Sequence, residues 1–361
     1  MSKKVDELVE KGTELYDEEE YDKAITYFEK AINLDEECTD GWNGKGDCLY
    51  EQEEYDEAIK CFNKAIKIDP EYHYAWSSKG YCYYEQEEYD EALKCFEKAI
   101  KIDNEYPEAW NGKGDCLSEE EEYDEALKCY EKALKLDREY MEAWNGKGDC
   151  LYEQEEYDEA LKCYEKAIKI DSEDSYGWRG KGNCLYYLER YNEALKSYDK
   201  SIECEEDIAE PWSSKGDCLY ELQKYEESIK AYDKAIKLNE EHADTWRGKG
   251  NSLYELGKYE ETIKCYDKAL EIDPDREDIR EYRQEVLDEC KEKGISIGKG
   301  KSKDQEIKKE KSKEPEVKQE RKPEEEQVKQ KEEPLFNKCS FCGTLNEKTV
   351  PDCKNCGGPM Y

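Results

Sequence analysis

Apolar and aromatic positions recur along residues 5–276 with one fixed step of 34 residues. All seven tryptophans, Trp42, Trp76, Trp110, Trp144, Trp178, Trp212 and Trp246, fall on that step. With each Trp counted as position 4, repeats begin at Thr39, His73, Pro107, Met141, Ser175, Ala209 and Ala243. An earlier repeat begins at Val5 and carries Leu8 in the Trp slot. Position 8 is Gly in all eight, from Gly12 to Gly250, and position 17 is always Tyr, from Tyr21 to Tyr259. Position 24 is always Phe or Tyr, position 20 is Ala six times, and position 27 is Ala except at Ser201. Positions 4, 8 and 11 share one helix face, and positions 20, 24 and 27 share a face of a second helix. Small residues at 8, 20 and 27 let the two helices approach closely, and the rings at 4, 17 and 24 fill the gap to the next pair. No such hairpin buries its apolar face alone, so each must lean on its neighbours.

A representative stretch is Ala143-Trp144 through Gly148, then Tyr157-Asp158-Glu159-Ala160, Tyr164 and Ala167. These residues resemble the tetratricopeptide-repeat family, and the resemblance covers residues 5–276. It implies an all-α, right-handed superhelical solenoid of eight helix pairs at 5–38, 39–72, 73–106, 107–140, 141–174, 175–208, 209–242 and 243–276. One departure is systematic. Position 7, usually large and apolar in the family, is Lys in every repeat, from Lys11 to Lys249. The expectation is that its stem packs while its ammonium reaches a nearby acid; a functional basic ladder is the alternative.

Beyond the repeats, residues 277–293 read as a capping helix with Ile279, Tyr282, Val286 and Cys290 on one face, closed by Gly294. Residues 294–334 lose the period. From 295 to 334, twelve Lys/Arg stand against eleven Asp/Glu, which reads as a disordered charged linker. Gly298-Lys299-Gly300-Lys301-Ser302 superficially matches a phosphate loop, but Ile295 stands where its first Gly is needed. Residues 335–361 carry Cys339-x2-Cys342 and, ten residues on, Cys353-x2-Cys356. Two paired thiolate hooks at this separation suit one tetrahedral Zn2+. The pattern resembles a small β zinc ribbon, with Gly343 and Gly357-Gly358 turning backbone N–H groups toward the sulfurs. Four protein ligands leave no open position, so the zinc is expected to be structural and to supply most of the segment's folding free energy. A rubredoxin-type iron centre and free thiols are the alternatives.

Composition sharpens the picture. The chain has 361 residues, 95 Asp+Glu against 57 Lys+Arg, 31 Tyr and a low 36% apolar share. Such a charge balance repels nucleic acid and favours basic partners. The 18 cysteines, with no secretory signal in Met1-Ser2-Lys3-Lys4-Val5-Asp6-Glu7, are expected to be reduced thiols or metal ligands in the cytoplasm. Cysteines at positions 10 and 23 match no metal spacing and read as small core residues. The longest uncharged run is the eight residues from Cys339 to Asn346, far short of the about 20 a spanning helix needs.

The resemblance places the concave surface on the first helix of each pair, at positions 2, 5, 9, 12 and 13. Of those 40 residues seventeen are acidic and only Arg179 and Arg247 are basic. A concave surface lined by one sign focuses field and speeds encounter with the opposite charge. The candidate peptide-binding set is Asn43, Asp47, Tyr50, Tyr81, Tyr84, Asn111, Asp115, Asn145, Asp149, Tyr152, Arg179, Asn183, Asp217, Tyr220, Arg247 and Asn251. Rings beside acids suit Lys and Arg side chains through cation–π contact, and the asparagines suit an extended backbone. The expected function is therefore a non-catalytic protein-interaction scaffold for an extended, Lys/Arg-rich segment, with the ribbon as a second docking module. No catalytic residues are assigned, because no nucleophile–base pair or open metal site is visible. The alternative is a nucleic-acid- or ribosome-associated factor that uses ribbon and linker, although Lys338, Lys348 and Lys354 against Glu347 and Asp352 give it little charge. Nucleic acid is not expected on the repeats, no membrane is expected, and self-association is left open.

Overall fold

The computed structural model describes residues 2–295, together with the backbone of 336–338 and 345–347. The chain divides into two compact units, 1–300 and 301–361. In the first, α1 (Ser2–Asp17) pairs with α2 (Tyr21–Leu34), α3 (Thr39–Glu51) with α4 (Tyr55–Ile68), and α5 (His73–Glu85) with α6 (Tyr89–Ile102). The series continues with α7 (Pro107–Glu119) and α8 (Tyr123–Leu136), α9 (Met141–Glu153) and α10 (Tyr157–Ile170), and α11 (Ser175–Tyr187) and α12 (Tyr191–Cys204). It ends with α13 (Ala209–Glu221) and α14 (Tyr225–Leu238), α15 (Ala243–Glu255) and α16 (Tyr259–Ile272), and the single helix α17 (Glu277–Glu292). Helix α1 starts three residues ahead of the repeat boundary at Val5. None of these helices is long and apolar enough to cross a membrane.

Each first helix ends the same way. Position 15 takes a left-handed backbone, with φ 61° at Glu53, 60° at Glu87 and Glu121, and 58–61° across the first seven repeats. The N–H of Glu54 then reaches the Leu49 carbonyl and that of Glu53 the Tyr50 carbonyl, both at 2.8 Å. This pair of bonds satisfies the orphan carbonyls of the helix end and reverses the chain. Only the eighth repeat uses glycine there, Gly257 with φ 69°. Second helices, α12 aside, stop at an Asp or Asn whose side-chain oxygen accepts the N–H two residues on, as Glu71 N–H to Asp69 Oδ1 at 2.9 Å and Glu241 N–H to Asn239 Oδ1 at 3.0 Å.

Three contacts zip each pair to the next. In five of the eight repeats the position-24 ring is clamped between two glycines, whereas Ser78, Ser214 and Tyr282 stand in place of the second after Phe62, Tyr198 and Tyr266. A Cβ on Gly114 would lie 2.7 Å from the Tyr130 ring, and one on Gly146 of the next repeat 2.6 Å from its other side. Each Trp indole N–H donates to the carbonyl six residues earlier, as Trp144 to Arg138 at 3.0 Å. Each position-7 Lys from Lys45 onward, Lys79 aside, reaches an acid at position 25 of the preceding repeat, such as Lys147 to Glu131 at 2.6 Å and Lys249 to Asp233 at 2.6 Å. Lys79 finds Asn63 instead, at 2.9 Å. Several of these ammoniums also sit over the Trp of their own repeat, Lys215 at 5.2 Å from the Trp212 ring. The lysine ladder is therefore an inter-repeat tie. The position-10 cysteines, Cys48 to Cys218, are fully buried, and burial pushes the Cys48 and Cys82 thiols up to about 12. All fourteen described cysteines are free.

Helix α17 repeats the first-helix code without its Trp or Gly. Arg283 stands at position 7 and reaches Asp267 at 2.5 Å, and Glu289 at position 13 accepts from Tyr254 at 2.7 Å. Arg280, in the Trp slot, donates to the Pro274 carbonyl six residues back. Ile279, Val286 and Cys290 are buried as expected, but Tyr282 is 42% exposed. It stays uncovered because no second helix pairs with α17 among the described residues.

In the second unit the described backbone forms β1 (Phe336–Lys338) and β2 (Leu345–Glu347), paired antiparallel with Phe336 opposite Glu347. All but the first two residues of the linker expected at 294–334, and the four candidate ligands Cys339, Cys342, Cys353 and Cys356, lie outside the described residues, as does the phosphate-loop look-alike.

Candidate interaction groove

The first helices α1, α3, α5, α7, α9 and α11 line one cavity of about 1190 Å³. Tyr50, Tyr81, Tyr84, Asn111, Asp115, Asn145 and Asp149 all meet there. Nine carboxylates line it, Glu51, Glu85, Glu108, Asp115, Glu119, Glu121, Glu142, Asp149 and Glu153, and no Lys, Arg or His does. A second cavity of about 600 Å³ gathers Tyr152, Arg179, Asn183, Asp217 and Arg247, and shares Asp149 with the first. Tyr220 and Asn251 line a third, of about 300 Å³, together with Tyr282. Most of the candidate residues thus fall in two adjoining cavities and a separate third rather than in one pocket. Asn43 and Asp47 sit on α3 and bond to each other, Nδ2 to Oδ2 at 2.6 Å.

Much of the expected recognition chemistry is already engaged internally. Asn183 and Asn251 accept hydroxyl hydrogens from Tyr198 and Tyr266 at 2.8 and 2.7 Å. Tyrosines at position 12 tie one repeat to the next by donating to the position-13 acid, as Tyr16 to Glu51 at 3.0 Å and Tyr50 to Glu85 at 3.2 Å. In repeat six Tyr187 replaces that acid, and its ring packs 5.6 Å from Tyr152 instead. The two basic residues are neutralised. Arg179 pairs with Glu210 and lies over the Tyr176 ring, and Arg247 pairs with Asp244 at 2.9 Å and Asp278 at 3.8 Å.

The position-9 aspartates form the floor. Burial pushes the carboxyls of Asp47 and Asp115 up to about 7 and that of Asp217 up to about 6, and raises Asp149 as well. Hydrogen bonds oppose the shift. Tyr130 donates to Asp115 at 2.8 Å, Tyr164 to Asp149 at 2.6 Å, and Tyr232 to Asp217 at 2.6 Å. A formal charge count of the groove therefore overstates its negative charge near pH 7, because desolvation favours the neutral acid.

Sequence periodicity assigns those position-24 tyrosines to the core alone. Their rings are core, but their hydroxyls cross to the groove floor. A signal for this exists along the chain. In all five repeats where position 24 is Tyr, position 9 is Asp or Asn, fifteen residues earlier. Tyr106 and Tyr140, just ahead of α7 and α9, also line the large cavity, and Tyr72 donates to Asp40 at 2.8 Å. Their repeat position belongs to the turn, so periodicity does not single them out. Among the described residues no group of His, Cys, Asp and Glu could hold a metal ion.

Comparison with known proteins agrees with the repeat architecture. Tetratricopeptide-repeat models match residues 8–38, 39–72, 71–139, 105–173, 139–203 and 243–276, and a TPR repeat model matches 216–257. No curated protein matches. Among 535 matching solved chains, one is from the crystal structure of the APC/C hetero-tetramer Cut9–Hcn1, with TM-score 0.63 and 17% identity. The match covers 78% of this chain and 55% of that one, so this chain spans about half its length. Another is YrrB, described as a TPR protein with an unusual peptide-binding site, at 26% identity and TM-score 0.45, covering 53% of this chain and 99% of that one. With repeat models over most of residues 8–276, the chain belongs to the tetratricopeptide-repeat family.

Proposed function

We propose that this protein is a scaffold that holds an extended, Lys/Arg-rich segment of another protein along its concave face. Tetratricopeptide-repeat proteins bind other proteins and are generally non-catalytic scaffolds. The observation that carries the finer reading is the lining of the 1190 Å³ cavity, with nine carboxylates and no base. The tyrosine rings between those acids offer cation–π faces. Even with the floor aspartates partly protonated, the rim glutamates keep the field negative. Fluorescence anisotropy of the full-length protein with a basic and an acidic peptide of equal length, at low and high salt, tests this. The basic peptide binds and weakens as salt rises; equal binding of both peptides, or indifference to salt, refutes it.

The second docking module is proposed on cysteine spacing. Cys339, Cys342, Cys353 and Cys356 would hold one structural Zn2+ as four thiolates. The full-length protein then carries one equivalent of zinc by elemental analysis, and a Cys339→Ser/Cys342→Ser variant loses it.

A further inference from the structure

The large cavity contains acceptors with no donor. Asn111 and Asn145 occupy position 5 of the fourth and fifth repeats and are only 4% and 8% exposed. The Nδ2 of Asn111 donates to Asp115 at 2.8 Å, and that of Asn145 to Asp174 at 2.9 Å. Each amide thus turns its NH2 toward the acid and its carbonyl away from it. Both Oδ1 atoms are buried with no hydrogen-bond partner, and so is Glu108 Oε2. All three residues line the same cavity. Three tyrosine hydroxyls in the same lining are spent elsewhere: Tyr81 on the Glu108 carbonyl at 2.9 Å, Tyr130 on Asp115 and Tyr176 on Asp149. A buried acceptor left without a donor is costly, so the arrangement favours a guest that brings N–H groups.

The geometry points to a subsite for a primary alkylammonium, the head of a guest lysine, at the Asn111, Asn145 and Glu108 acceptors between the fourth and fifth repeats. An ammonium carries three N–H donors and no acceptor, which matches three unpaired oxygens. The acceptors come from three side chains rather than one carboxylate. They suit a compact point charge better than the planar fork of a guanidinium, which prefers a bidentate carboxylate. The rings of Tyr106 and Tyr140 line the same cavity and offer an apolar wall for the alkyl stem. Position 5 is Val9, Ser77, Arg179, Ser213 and Arg247 elsewhere, and Asn43 has no Asn neighbour. Only the fourth and fifth repeats set two such amides side by side. A free polyamine carries the same head group as a lysine.

This subsite rests on the reading that the guest is basic, and the test separates the two. Full-length protein is titrated with three peptides of one sequence, bearing Lys, Nε-trimethyl-lysine or Arg, and with spermidine. The Asn111→Val/Asn145→Val variant, which uses the residue found at this position in the first repeat, is measured beside it. Thermal melting monitors its fold, and Asn111→Ser/Asn145→Ser, as in repeats three and seven, replaces it if it melts early. The expected result is at least tenfold tighter binding of the Lys peptide than of the trimethyl-lysine peptide, which keeps the charge but has no N–H. The variant removes that preference and leaves Arg-peptide binding within about threefold. Equal binding of Lys and trimethyl-lysine peptides, unchanged in the variant, overturns the subsite and leaves the basic-guest reading intact. Spermidine binding that the variant abolishes, with no peptide binding, keeps the subsite and overturns the peptide reading. Failure of every ligand to bind overturns both.

Discussion

At the scale of single residues, the floor of the groove sets a pH dependence. Asp115 lies under Asn111 and the Tyr130 hydroxyl, with Asp149, Glu119 and Glu142 as charged neighbours, and burial pushes its carboxyl up to about 7. Its unfolded value is the ordinary 3.8. Between those values the folded state holds a proton that the unfolded state has released, so stability rises as pH falls through this window. Asp217, at about 6, acts in the same sense. Repeats six and eight already show the neutral solution, since Asn183 and Asn251 accept from Tyr198 and Tyr266 in the same way. The Asp115→Asn/Asp217→Asn variant is expected to melt higher at pH 8, roughly 2–4 °C per kcal/mol gained. Its melting temperature should also change less between pH 5.5 and pH 8 than the parent's. Gly146 makes the opposite point. A methyl there meets a Tyr130 ring already held by Gly114, so Gly146→Ala should cost about 1–3 kcal/mol by chemical denaturation despite alanine's better helix propensity.

At the scale of elements, the tight turn inside each hairpin carries an avoidable cost. Six glutamates and Gln223 hold φ of 58–61°, a region in which a side chain is crowded. Glycine relieves the crowding but frees the unfolded chain. Glu121→Gly and Glu155→Gly should each raise stability by about 0.5 kcal/mol, and denaturant midpoints would show it. The position-7 ties are worth less than their regularity suggests. Lys147 is 21% exposed and its partner Glu131 61%, so Lys147→Met should change stability by no more than about 1 kcal/mol. A larger loss would mean that the ladder sets inter-repeat packing rather than decorating it.

At the scale of the whole repeat array, each layer depends on the next, and the last depends on α17. Ile279 is fully buried and Val286 nearly so against Ile263 and Tyr266. Ile279→Asp/Val286→Asp should lower the melting temperature and promote self-association, visible by sedimentation velocity, because it uncovers an apolar layer. Selectivity must come from how a repeated surface is edited from one layer to the next. In this chain the editing is visible at position 5, where Asn, Ser, Arg and Val alternate, and at position 9, where Asp gives way to Asn in repeats six and eight.

The helix pairs, their partners and the capping helix were legible along the chain. Its 34-residue period, with Trp at position 4, Gly at position 8, Tyr at position 17 and Ala at position 20, leaves only one way to bury those side chains. The acidic residues of the first helices were legible too, since their repeat positions can be counted along the chain. What the chain could not reveal is which polar atoms remain free. Asn111 and Asn183 look alike as letters, yet one keeps an open carbonyl and the other spends its own on Tyr198. Tyr130 looks like core, yet its hydroxyl reaches a groove aspartate. Periodicity reports which face a side chain occupies; hydrogen-bond satisfaction and desolvation depend on atoms one repeat away, so only the stacked structure decides them.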